Sequence, residues 1–98
     1  MRRGRLPLTA LRSFESAGRL LSFTQAAEEL FVTQAAISRQ IRELEGSLGL
    51  ALFERHHRSV SLTENGACLL ARLTQSFDEI DGALRQMPPE LGRELIGG

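Results

Sequence analysis

The stretch from Ser22 to Glu45, SFTQAAEELFVTQAAISRQIRELE, holds two apolar stripes of helical period separated by a break of a few residues, and this constrains the fold more than any other feature. Ser22 opens the first stripe and Gln25 follows three residues later, so the hydroxyl can accept from a free helix amide while the Gln side chain bonds back to the cap. A helix starting at Phe23 is predicted. Phe23, Ala26, Ala27 and Leu30 give it one apolar face of about two turns. Phe31 and Val32 break the pattern, and Thr33 supplies a second cap hydroxyl. Ile37, Ile41, Leu44 and Leu48 then set up a longer helix.

At about 100° per residue those four apolar positions share a narrow arc, which leaves Ala35, Arg39 and Arg42 on the far side with Gln34 and Ser38 beside them. A helix face of this kind suits a DNA major groove. Alanine allows close approach, glutamine can pair with adenine, and arginine can pair with guanine or phosphate. Gln34, Ala35, Ser38 and Arg39 are therefore expected to read bases. Thr33 is a cap whose hydroxyl or amide can also touch phosphate. Arg42 has two readings left open, phosphate contact or pairing with nearby Glu45. For Arg39 the plain alternative is a solvated surface side chain.

The flanking segments read as support. Leu8, Leu11, Phe14, Ala17 and Leu21 have helical spacing, with Gly18 as a flexible place near the end. Three helices crossing steeply can then share a core of Leu11, Phe14, Phe23, Ala27, Leu30, Ile37, Ile41 and Leu44. Before them, Met1 to Pro7 forms a basic arm whose Arg2, Arg3 and Arg5 are solvated or reach phosphates. Gly46 or Gly49 supplies the left-handed cap of the third helix. In LALFERHHRSVSL, Leu50, Leu52, Val60 and Leu62 alternate at strand period around a tip of His56, His57 and Arg58. Thr63 caps a last helix with Glu64 in its first turn. Along it Leu70, Leu73, Phe77, Ile80, Leu84 and Met87 recur at heptad spacing, opposite Arg72, Asp78, Glu79, Asp81 and Arg85. Pro88 and Pro89 end it.

Length and charge narrow the function. At 98 residues there is room for one domain with a small core. The formal net charge is zero, but it is unevenly spread: nine Arg against six Glu up to Arg58, and three Arg against four Glu and two Asp beyond it. A basic front half and an acidic rear half suggest that one end meets a polyanion. Cys68 is the single cysteine, which excludes an internal disulfide, and its apolar neighbours Leu69 and Leu70 predict that it packs inside. His56 and His57 are not expected to hold a metal, because adjacent residues on an extended tip point to opposite sides. Ser59 or Ser61 beside His57 is chain proximity, not a hydrolase site, and no phosphate-binding glycine loop is present; neither an enzyme nor a cofactor is expected. Pro7, Arg12 and Glu15 interrupt any signal-like apolar run, and no stretch approaches the ~20 apolar residues of a membrane span. A soluble cytoplasmic protein is expected.

SFTQAAEELFVTQAAISRQIRELEGSLGLALFERHHRSVSLTENG resembles the amino-terminal winged helix-turn-helix of LysR-type bacterial transcription regulators, and the likeness extends over roughly Leu8 to Met87. The opening LPLTALRSFESAGR is similar to the subgroup that includes activators of beta-lactamase and glycine-cleavage genes. The resemblance implies a mostly α fold: a three-helix core with a two-stranded wing over residues 1–62, a dimerisation linker helix over 63–87, and at 88–98 the hinge of an effector-binding domain. The chain ends there, as a shortened piece or a naturally short relative. The resemblance also implies a homodimer on an interrupted palindrome of double-stranded DNA, with tetramers as the further assembly of full-length proteins. It implies a DNA-binding set of Thr33, Gln34, Ala35, Ala36, Ser38, Arg39, Arg42, Arg55, His57 and Arg58. Its dimer contacts would be Leu70, Leu73, Phe77, Ile80, Leu84 and Met87. The competing reading is a protein-interaction or dimerisation module on the same fold, with the acidic last helix as its working part. Neutral net charge favours that reading, and the basic helix face and tip cluster oppose it.

Overall fold

The computed structural model describes residues 6–88, in the order α1 (Leu8–Leu20), α2 (Phe23–Leu30), α3 (Gln34–Leu48), β1 (Phe53–His56), β2 (Ser59–Leu62) and α4 (Glu64–Arg85). Arg2, Arg3 and Arg5 of the basic arm, Pro89 and the rest of the expected hinge lie outside the described residues. The architecture is the expected winged helix-turn-helix with a long carboxy-terminal helix.

Local chemistry sets the helix boundaries. Ser22 accepts the Gln25 amide at 3.0 Å, Thr33 the Ala36 amide at 3.1 Å and Thr63 the Gly66 amide at 3.0 Å. The reciprocal bond expected from the Gln25 side chain does not form among the described residues; Gln25 is exposed. Leu21 and Phe31 close α1 and α2 in the left-handed region, at φ 51° and 58°, where their amides bond back to Ala17 and Ala27. Left-handed backbone costs a bulky residue about 1–2 kcal/mol, so these turns are held by the packing of the helices on either side rather than by local preference. Gly49, φ 69°, caps α3, which resolves the choice between it and Gly46.

Phe14, Ala17, Ala26, Ala27, Ile37, Ile41, Leu44, Leu52 and Phe53 form the buried centre. Leu11, Phe23 and Leu30, expected in the core, are half-buried against it, and Leu48 is exposed at the end of α3. The segment after α3 contributes more than strand periodicity suggested. Phe53 meets Phe14 and Phe23 edge-on, with ring centroids 5.5 and 5.2 Å apart, so one aromatic joins the sheet to both α1 and α2. Leu50 and Leu52 precede the strand instead of lying in it, and Leu50 is exposed. The hairpin pairs Phe53 with Leu62, Glu54 with Ser61, Arg55 with Val60 and His56 with Ser59, and it turns at His57 and Arg58.

Two glycines are explained by close approach. A Cβ on Gly18 would lie 3.2 Å from Leu70 and 3.5 Å from Leu62, so Gly18 is a buried seat for α4 and β2 within α1, not the flexible terminus expected. A Cβ on Gly66 would lie 2.0 Å from the Leu52 carbonyl oxygen. That oxygen accepts the Thr63 amide at 3.0 Å, and Thr63 Oγ1 donates to the Ala51 carbonyl at 2.7 Å, so the start of α4 is tied to the strand entry. Cys68, expected inside, is exposed on α4. It lies two residues, about 200°, from Leu70 and so faces away from the stripe that meets α1.

Candidate nucleic-acid interface

α3 turns its apolar stripe into the core through Ile37, Ile41 and Leu44 and its other face outward. Thr33, Gln34, Ala35, Arg39 and Arg42 are exposed, while Ala36 and Ser38 are half-buried. The Ala36 amide is already engaged by the Thr33 cap. Neither Arg39 nor Arg42 makes an ion pair with a described residue. The Arg42–Glu45 pair left open from the sequence does not form. Glu45 instead accepts the Leu52 amide at 2.8 Å and the Phe53 amide at 3.2 Å, and lies 3.5 Å from Arg55. One carboxylate on the rear of α3 therefore fastens the start of the wing, and the outward arginines keep their charge for something else.

Between the start of α2, the front of α3 and the wing lies a concave cleft lined by Thr24, Gln34, Ser38, Arg42, Arg55 and Arg58, among others. A shallower surface beside it is formed by Ala35, Ser38, Arg39, Arg42 and Glu43. The two share Ser38 and Arg42, so the expected base-reading residues and part of the wing face one continuous surface. Arg55 lines the cleft but is committed elsewhere as well, pairing with Glu45 and lying 5.6 Å from the centre of the Phe23 ring. Its first effect is to hold the wing against the body. Arg58 stands at the turn with φ 70°, and His57 is exposed at the tip outside the residues that line the cleft. His56 bonds Ser61 across the hairpin at 2.9 Å.

Sequence reasoning missed Thr24. Its hydroxyl donates to the Gln34 carbonyl oxygen at 3.1 Å and so bridges the first turns of α2 and α3. A hydroxyl one residue inside a capped helix start was the available signal, but its partner ten residues away becomes visible only when the two helices pack. Among the described residues there is no group of three or more His, Cys, Asp or Glu side chains placed to hold a metal ion, and no helix is long and apolar enough to cross a membrane.

The heptad residues of α4 divide into two groups. Leu70 and Leu73 pack against the core and Phe77 is half-buried, whereas Ile80, Leu84 and Met87 are 56%, 68% and 51% exposed. The free part of the seam is Ile80 and Leu84 near the end of α4 together with Met87, which lies two residues past Arg85 and so outside the helix that was expected to reach it. Arg85 pairs with Asp81 beside it at 2.8 Å.

On the opposite side of α2 the charges are internally matched. Arg19 lies 3.2 Å from Glu15 and 2.6 Å from Glu29, and the buried Ser16 hydroxyl donates to the same Glu29 carboxylate. The hydrogen bonds from Arg19, and then from Ser16, hold the Glu29 pKa below its ordinary value. The bonds to Glu29 and Glu15 push that of Arg19 upward.

A family model described as a bacterial regulatory helix-turn-helix protein, lysR family, matches residues 8–67. The chain is 56% identical over 84 residues to the HTH-type transcriptional activator AmpR of Providencia stuartii, which covers 86% of this chain and 29% of that protein. It is 53% identical over 81 residues to the glycine cleavage system transcriptional activator of Escherichia coli K12, covering 83% of this chain and 27% of that one. The second is an activator of glycine-cleavage genes, one of the two kinds that the opening LPLTALRSFESAGR resembles. The chain spans about a third or less of the length of these relatives. Among solved structures, a BenM_DBD complex with catB site 1 DNA superposes with a TM-score of 0.74 at 31% identity, over 93% of this chain and 96% of that one. Oxidised OxyR of Corynebacterium glutamicum superposes at 0.75 and 31% identity, over 86% of this chain and 27% of that one.

Proposed function

The chain belongs to the LysR family of bacterial regulatory helix-turn-helix proteins, and from that premise we propose that it is the sequence-specific DNA-binding part of a transcription regulator, acting in the cytoplasm. The observation that carries this reading is the outward face of α3, where Arg39 and Arg42 point to solvent with no carboxylate partner among the described residues, beside Gln34, Ala35 and Ser38. Two guanidinium groups left without an ion-pair partner on a chain of zero net charge suit phosphate or guanine. In this reading α3 enters the major groove, Gln34, Ala35, Ser38 and Arg39 meet base edges, and Thr33, Ala36 and Arg42 lie along the backbone. His57 and Arg58 bring the wing tip to the adjoining backbone or minor groove, with Arg55 holding the wing in place.

The partner is double-stranded DNA carrying an interrupted palindrome, because two copies joined through α4 would set two α3 helices in successive major grooves about one helical turn apart. The exposed Ile80, Leu84 and Met87 support that joining, with Leu70, Leu73 and Phe77 continuing the seam toward the body. On this division residues 63–87 link and dimerise, although α4 is also seated on α1 at Gly18.

Enrichment of binders from a pool of random duplexes tests the proposal without a known operator. The expected result is a palindromic consensus whose retardation in a gel weakens steeply as salt rises. Enrichment of no consensus, with no salt response, would leave the protein-interaction reading in its place. Ile80→Glu should convert dimers to monomers in sedimentation, and a persistent dimer would place the joint elsewhere.

A further inference from the structure

We propose that Thr24 is a positioning residue that sets which base Gln34 reads, by holding the Gln34 amide so that it presents hydrogen-bond donors alone; the inference rests on the DNA-binding reading above. Thr24 is the second residue of α2 and Gln34 the first of α3, and both line the cleft between these helices and the wing. The Thr24 hydroxyl donates to Gln34 Oε1 at 3.1 Å. A glutamine amide carries one acceptor oxygen and an NH2 with two donors. The two-point recognition of adenine needs both ends of that amide at the base edge, the nitrogen donating to N7 and the oxygen accepting from N6. With the oxygen turned back to α2, that pair cannot form. The NH2 remains free and faces an edge rich in acceptors, which in the major groove is guanine, with O6 and N7 side by side.

The exposed position of both side chains makes the bond a choice of orientation rather than part of the core, so its loss should alter preference without unfolding the protein. Thr24→Val removes the hydroxyl and keeps the branched shape, and Thr24→Ser keeps the hydroxyl. Each is put through the random-duplex enrichment with the parent chain and with Gln34→Ala, which identifies the base pair that Gln34 contacts as the one whose preference it erases. The parent and Thr24→Ser should select guanine there. Thr24→Val should release the oxygen and move the preference toward adenine by roughly tenfold relative to guanine. An unchanged preference in Thr24→Val, or adenine already selected by the parent, would overturn the role of Thr24 while leaving DNA binding intact. If Gln34→Ala erases no preference, Gln34 reads no base and the inference fails with it. If the parent enriches no sequence at all, the functional reading itself fails.

Discussion

Arg19 and Arg39 are the same side chain in opposite situations. Arg19 is clasped by Glu15 and Glu29, and Ser16 completes the set from the buried side of α1. Arg39, on the front of α3, has no carboxylate partner among the described residues, and Arg42 shares that condition. The difference is one of surroundings: α1 and α2 place two acids within reach of one base, whereas Glu45, three residues on from Arg42, is drawn to the wing amides and Arg55. With Glu45 engaged at the rear, the front of α3 keeps two arginines outside any ion pair among the described residues beside one acid, Glu43, a cationic excess on a chain of zero net charge. If this division is correct, damage at the rear should appear as lost stability and damage at the front as lost binding.

The largest rear effect is expected from Gly66→Ala. A methyl group there would lie 2.0 Å from a backbone carbonyl already bonded to Thr63, so nothing flexible can yield. A loss of about 3 kcal/mol of stability, at the upper end for overpacking, should appear in denaturant unfolding, while molecules that remain folded should bind DNA with unchanged specificity. Unaltered stability would mean that α4 is not seated as described. The front counterpart is Arg39→Ala, which should weaken binding to the selected duplex by ~1–3 kcal/mol and leave thermal stability within about 0.5 kcal/mol. A loss of stability without a loss of affinity would invert the comparison.

The front was the more legible half in the sequence. Caps at Ser22, Thr33 and Thr63 are local chemistry, and the stripe of Ile37, Ile41 and Leu44 fixes which face of α3 turns outward without knowledge of the rest. The rear depends on contacts between residues far apart in the chain. Phe53 was passed over because a four-residue strand carries almost no periodic signal, and its burial comes from Phe14 and Phe23. Gly18 and Gly66 look like flexibility until Leu70 and Leu52 are placed against them. Arg55 enters the DNA-binding set through the family resemblance alone, and Glu45 and Phe23, which hold it to the body, are too far along the chain to be seen as its partners. Cys68 is a different kind of miss, because the helical period that identified the Leu70–Leu73 stripe already placed it on the opposite face.

The wing turn separates charge from backbone at a single residue. Arg58 has φ 70°, a value that glycine adopts freely and alanine does not. Arg58→Ala and Arg58→Gly both remove the charge, and each should lower the salt dependence of DNA binding by about one counterion. The alanine keeps the left-handed strain that Arg58 already carries and the glycine relieves it, so the two variants should bind alike while the glycine is the more stable by up to about 1 kcal/mol. Equal salt slopes in parent and variants would remove Arg58 from the cationic front and confine that front to α3.

The smallest effect is expected at the clasp itself, and pH exposes it. Because the folded state holds Glu29 below its ordinary pKa, folding favours its ionised form, and the stabilisation is fully present above the ordinary value of 4.5. As pH falls past that value the unfolded chain takes up a proton first, so the advantage shrinks, and it is gone once pH drops below the depressed folded value. The Glu29 and Arg19 side chains are 38% and 43% exposed, so solvent screening keeps the contribution below about 1 kcal/mol. Glu29→Gln should therefore melt slightly below the parent near neutral pH and converge with it in acid, with the gap also narrowing as salt is raised. Its affinity for DNA should match the parent throughout, since the amide leaves α3 untouched. A melting gap that persists below the depressed value would show that Glu29 acts through packing rather than charge, and a change in DNA affinity would mean that the rear clasp and the front face are coupled through α2.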